Sequence, residues 1–99
     1  MPTEEVEKYL GIVSGWELAP GPEVRKDYVF KDFAEALRFV NAVGEIAEGE
    51  GHHPNIFLHD WKKVELRLST HAIKGLHLND FILATKVDTM QKEKFTSKT

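Results

Sequence analysis

The chain has no cysteine, only four prolines, no surplus of basic charge and no long apolar run. Without cysteine there is no disulfide framework and no thiolate metal site, and the usual mark of an oxidising compartment is missing. Lys and Arg number 13 against 16 Asp and Glu, a formal net charge of −3. That balance disfavours a dedicated nucleic-acid binder, which needs a basic face to neutralise phosphates. Lys62, Lys63, Lys92, Lys94 and Lys98 read as ordinary solvated charge. No apolar stretch approaches the ~20 residues that span a bilayer. Residues Met1 to Glu5 offer neither a basic leader nor an apolar segment behind it, so the expected location is cytoplasmic. Ninety-nine residues, 41% of them hydrophobic, suffice for one core and not for two, and residues 1–99 are expected to form a single domain.

Periodicity and turn chemistry set the expected elements. Thr3 to Leu10 reads as a short helix with Thr3 as N-cap, acidic residues in its first turn and Gly11 at its end. Trp16 to Leu18 and Val24 to Phe30 read as strands joined by the reversing loop Ala19-Pro20-Gly21-Pro22-Glu23. Asp32 to Gly49 carries Phe33, Ala36, Leu37, Val40, Val43, Gly44 and Ala47 at helical spacing. Asp32 and Glu35 form a capping-box variant at its start, and Gly49 and Gly51 supply the stop. Pro54 starts an extended segment, Asn55 to Asp60. In Lys62 to Thr70, Val64, Leu66 and Leu68 alternate with polar residues, the mark of a half-buried strand. After the connection Ala72 to Leu76, a last helix runs from about His77 or Leu78 to Glu93, with Phe81, Ala84, Val87 and Met90 turned inward and residues 95–99 frayed. The order α-β-β-α-β-β-α predicts an α+β fold: a four-stranded antiparallel sheet with the helices packed on one face and the other face open.

All five histidines fall between positions 52 and 77. Imidazole titrates near neutrality, at a pKa of about 6.5, so such a group can both give and take protons. Metal binding ranks behind acid/base work, because the spacing lacks the cysteine or the helical i, i+4 pair of the familiar zinc sites. His52 and His53 can share a site only if the backbone bends at the helix exit, and Gly51 makes that bend easy. Pairing of the two later strands across Trp61 would bring His71 back toward that bend, while His59 and His77 read as bystanders. Glu48 opposes the helix dipole, a weak sign of another task. Asp80 fits either a first-turn carboxylate or a partner that orients a histidine ring.

The spaced set Glu48, His52-His53-Pro54, Trp61, His71 and Asp80 resembles the signature of the pterin-4a-carbinolamine dehydratases. Gly15-Trp16-Glu17-Leu18, Phe30-Lys31-Asp32-Phe33 and Leu68-Ser69-Thr70-His71 extend the likeness over most of residues 14–88. The resemblance implies the same α+β fold, a 4a-hydroxytetrahydropterin substrate, a quinonoid dihydropterin product plus water, and no metal or organic cofactor. It implies His52, His53 and His71 as proton-transfer residues, with Glu48 and Asp80 orienting them. Ser69 and Thr70 would meet the pterin edge, and Trp16 or Trp61 would cover its face. His77 at the last helix's N-cap and Ala72-Ile73-Lys74-Gly75 depart from the family's usual polar residues.

The rival is a non-catalytic interaction protein, since some members of that family act as dimerisation cofactors for a homeodomain transcription factor. Partner binding alone gives no reason for the full histidine set and ranks second. A homodimer or homotetramer is expected from the resemblance and from the open sheet face. Some relatives serve molybdopterin metabolism, and the pterin side chain is left open by the sequence.

Overall fold

A computed structural model describes residues 3–13, 15–20, 23–69 and 78–95. The elements are α1 (Thr3–Ile12), β1 (Glu17–Ala19), β2 (Glu23–Val29), α2 (Phe33–Glu50), β3 (Asn55–His59), β4 (Lys63–Leu68) and α3 (Leu78–Phe95). The expected order is therefore present. Gly11 does not end α1, which runs one residue further to Ile12. The expected connection Ala72 to Leu76, His77 and the chain end beyond Phe95 lie outside the described residues.

The strands form one antiparallel sheet in the order β1-β2-β4-β3. Alternation places Val64, Leu66 and Leu68 of β4 on the helix-covered face with Val24 and Tyr28 of β2, all of them buried. The uncovered face carries ion pairs instead. Arg25 meets Glu65 at 2.6 Å, Asp27 at 2.6 Å and also Glu17, while Arg67 meets Glu65 at 3.1 Å and Glu23 at 3.3 Å. Hydrogen bonds from Arg67 first and Arg25 next hold the Glu65 carboxyl below the usual carboxylate range.

Both ends of α2 are fixed by local chemistry. Asp32 is the N-cap: its Oδ1 accepts from Glu35 N at 2.8 Å, and Glu35 Oε1 accepts from Lys31 N at 3.0 Å. The buried stripe differs from the expected one. It consists of Ala36, Phe39, Val43 and Ala47, whereas Phe33 is 49% and Leu37 39% exposed. The helix is rotated toward Phe39 because that ring packs against Tyr28 and Phe30, with centroids at 4.7 and 4.8 Å.

α3 buries Phe81, Leu83, Ala84, Val87 and Met90. It is tied to the sheet by Asp88, whose carboxylate accepts from Trp16 Nε1 at 2.9 Å, Lys26 Nζ at 3.0 Å and the Tyr28 hydroxyl at 2.7 Å. None of the described helices is long and apolar enough to cross a membrane.

Two outcomes test this packing. Phe39→Ala removes a ring from the shared core and should cost about 3–5 kcal/mol, while Phe33→Ala on the same helix should cost less than about 1 kcal/mol, both read from urea unfolding. Because the folded pKa of Glu65 lies below its unfolded value, its ion pairs stabilise the protein above the ordinary carboxylate pKa of about 4 and lose that contribution as the pH falls through the folded value. The stability gap between wild type and Glu65→Gln should accordingly narrow on acidification.

Candidate active site

The site begins where α2 stops. Gly51 adopts the left-handed conformation at φ 64°, its N–H donates to Glu48 O at 3.3 Å, and the N–H of His52 donates to Ala47 O at 3.1 Å. These two bonds form a Schellman motif, which only a residue tolerant of positive φ closes without strain. The motif reverses the chain immediately before the two histidines, so that the bend expected at Gly51 is present.

His52 turns inward and its side chain is 16% exposed. Its Nε2–H donates to Asp80 Oδ1 at 2.5 Å, and the Asp80 side chain is fully buried in the first turn of α3. The amino end of a helix is a favourable place for a carboxylate. His53 turns outward and its Nε2–H donates to Glu48 Oε2, both side chains being mostly exposed. Both imidazoles thus turn Nε2 to a carboxylate, an acceptor, so that a neutral ring in this setting carries its proton on Nε2 and has its lone pair on Nδ1. A carboxylate hydrogen-bonded in this way also stabilises the imidazolium formed when Nδ1 takes a proton.

The chain then enters β3 through Pro54. Asn55 of β3 lies opposite Arg67 of β4, so the His52 to Pro54 stretch and the end of β4 share one end of the sheet. Ser69, buried just past β4, is at that end. Thr70 and His71 follow in sequence but lie outside the described residues. The pairing of the two strands on either side of Trp61, from which a return of His71 was expected, is present.

The tryptophans are placed elsewhere. Trp61 sits in the β3–β4 turn, 64% exposed, at φ 52°. The length of β3, roughly 17 Å for five residues, separates it from Pro54, so within one chain it stands apart from the histidine pair. Trp16 is 5% exposed, edge-on to Tyr28 at 6.5 Å, with its N–H donated to Asp88. His59 is exposed on β3 with Nδ1 3.2 Å from Asp60 Oδ2.

A concavity of about 610 Å³ opens on the uncovered sheet face, lined by residues that include Arg25, Asp27, Phe57, His59 and Lys63. Neither His52 nor His53 lines it. The histidine pair is preferred as the candidate site because imidazole is the side chain suited to proton transfer near neutrality, whereas the hollow presents Arg25, already paired with Asp27 and Glu65, beside a single imidazole. Among the described residues no cluster of three or more His, Cys, Asp or Glu side chains is arranged to hold a metal ion. The residue that pattern reading overlooked is Asp88. Its signal was legible: it lies four residues after the inward Ala84, a carboxylate on a face otherwise given to apolar side chains.

The chain was compared with known proteins. A family model described as pterin 4 alpha carbinolamine dehydratase matches residues 1–90. A curated protein of Methylococcus capsulatus named "Putative pterin-4-alpha-carbinolamine dehydratase" is 45% identical over 91 residues, covering 91% of this chain and 79% of its own. One of the same name from Azoarcus sp. is 46% identical over 85 residues, covering 85% and 72%. The crystal structure of a transcriptional coactivator/pterin dehydratase from Brucella melitensis superposes with a TM-score of 0.84 at 27% identity, covering 91% of this chain and 96% of that one. A pterin dehydratase-like protein identified as a RuBisCO assembly factor of the alpha-carboxysome shares the fold, with a TM-score of 0.64 at 23% identity, covering 77% and 88%.

If Gly51 aims His52 as described, Gly51→Ala should destabilise the protein by about 1–2 kcal/mol, since an L side chain is strained at this φ. Thermal unfolding reads that loss. The Cβ itself meets open space, so a null result would mean that the αL backbone is not required.

Proposed function

The chain belongs to the pterin-4α-carbinolamine dehydratase family, and from that membership we propose that it removes water from a 4a-hydroxytetrahydropterin to give the quinonoid dihydropterin. The observation that carries the reading is the inward His52 with its ring held by the buried Asp80 carboxylate. In the proposed reaction the bond from C4a to the hydroxyl oxygen breaks, a proton joins that oxygen to release water, and a ring nitrogen gives up its proton. No electron leaves the pterin, so acid/base groups suffice, each typically contributing 10²- to 10⁴-fold.

His52 is suited to take the ring proton on Nδ1, because Asp80 stabilises the imidazolium that results. His53, with Glu48 behind it, and His71, carried over from the family resemblance, are the proposed partners for the leaving hydroxyl. Ser69 at the end of β4 and the neighbouring Thr70 are proposed to meet the pterin edge. The balance of this reaction needs no cofactor.

Self-association is proposed alongside. Among the described residues β3 is an edge strand of the sheet, with no strand paired along its outer side, and Phe57 and Ile56 on it are 65% and 37% exposed. Both features support a homodimer or homotetramer. The Brucella protein is described as both coactivator and dehydratase, and a purely regulatory role on this fold is the alternative.

Dehydration of freshly generated 4a-hydroxytetrahydropterin, followed by ultraviolet absorbance from about pH 5.5 to 8.5, tests the proposal. Saturable acceleration by the wild type should fall at least about tenfold in His52→Ala. Rates no better than buffer in both proteins would sink the dehydratase reading and leave the regulatory one.

A further inference from the structure

α3 carries two acidic side chains with partners on different elements. Asp80, in its first turn, accepts from His52 at the exit of α2. Asp88, about 12 Å further along the axis, accepts from Trp16 just before β1 and from Lys26 and Tyr28 of β2. Between and around them, Phe81, Leu83, Ala84, Val87 and Met90 are buried over about half of the helix circumference. Apolar burial over so wide an arc holds a helix against a sheet and limits its rotation, but it is non-directional and leaves more latitude than a hydrogen bond does. Hydrogen bonds do discriminate, because they weaken steeply with misalignment. A slip of one residue would move Asp88 by about 1.5 Å along the axis and about 100° around it, beyond the reach of its three donors.

The geometry points to Asp88 as a positioning residue for His52: by accepting from Trp16, Lys26 and Tyr28 it sets the rotation and depth of α3, and α3 in turn holds Asp80 at hydrogen-bonding distance from the His52 ring. The proposed influence is mechanical, carried by the setting of α3, along whose axis the two carboxylates lie about 12 Å apart. The Tyr28 donor is dependable: burial, and then the Asp88 carboxylate, push its pKa well above the usual tyrosine range, so the hydroxyl keeps its proton. A second tie between the same helices, Lys86 to Glu50, is largely solvent-exposed and contributes little. Only the kinetic arm of the test rests on the dehydratase reading.

The test compares wild type with Asp88→Asn and Tyr28→Phe by ¹⁵N NMR of the His52 ring and by steady-state dehydration, with circular dichroism to establish folding. Asp88→Asn keeps the shape but loses the charge that gathers three donors. In the folded variant the ring signals should move from a single Nε2–H tautomer toward an average of two, and kcat should fall roughly 5- to 20-fold with KM changed less than about twofold. Tyr28→Phe should move both readouts the same way by less. Wild-type ring signals and a kcat within about twofold in folded Asp88→Asn, whatever its melting temperature, would overturn the proposal and leave Asp88 a purely structural tie. Should Asp88→Asn fail to fold, Tyr28→Phe decides by the same two criteria. If the wild type itself shows no turnover, the dehydratase reading falls, and the ring signals alone decide: a shift supports the positioning role and unchanged signals overturn it.

Discussion

A carboxylate with no exposed surface organises this small protein. Removing Asp80 from water costs of the order of several kcal/mol unless its charge is met by donors of good geometry. His52 supplies such a donor at 2.5 Å, and the amino end of α3 adds its dipole. The requirement runs in both directions. The imidazole at the exit of α2 helps to meet the buried Asp80 carboxylate, and the carboxylate in turn favours the ring form that carries a proton on Nε2. The orientation of the His52 ring and the packing of α3 against the exit of α2 therefore draw on the same hydrogen bond.

The two histidines, adjacent in sequence, are made different by a single turn. The Schellman closure at Gly51 sends His52 into the protein and leaves His53 at the surface beside Glu48. Adjacent side chains in an extended segment point to opposite sides, and here one side is the interface between α2 and α3 while the other is solvent. Two chemically identical rings thereby acquire a buried and an exposed setting. A reaction that needs one group to accept a proton and another to deliver one can use such a difference.

On the far side of α3, polar contacts divide the remaining work. The helix-covered face of the sheet is apolar except where Lys26 and Tyr28 reach Asp88. The uncovered face is a lattice of arginines and carboxylates in which Arg25 and Arg67 each bridge residues on neighbouring strands. Cross-strand pairs of opposite charge support the register that the buried alternation already prefers. The sheet is thus held from both sides by different means, apolar packing beneath and ion pairing above.

Much of this was legible along the chain, because it depends on local pattern. Alternation at Val64, Leu66 and Leu68, the cap at Asp32, the stop at Gly51 and the turn between β3 and β4 are written in neighbouring residues, and they fix the element order and the α+β fold. The spaced histidines and acids pointed to the family before any coordinate was known, and the match over residues 1–90 agrees. Other features depend on residues far apart in sequence. Which side of α2 faces inward was decided by Tyr28 and Phe30 meeting Phe39, so Phe33 and Leu37 stayed at the surface despite fitting the spacing. Trp16 went to the core because Asp88, 72 positions away, accepts its N–H. Helical and strand periods report which residues share a face; they carry no information about which distant side chain will fill or satisfy that face. The sequence by itself determined the elements, their order and the spaced histidines and acids that mark the family, while the choice of His52 as the ring held by a buried carboxylate came only from packing α3 across the end of α2.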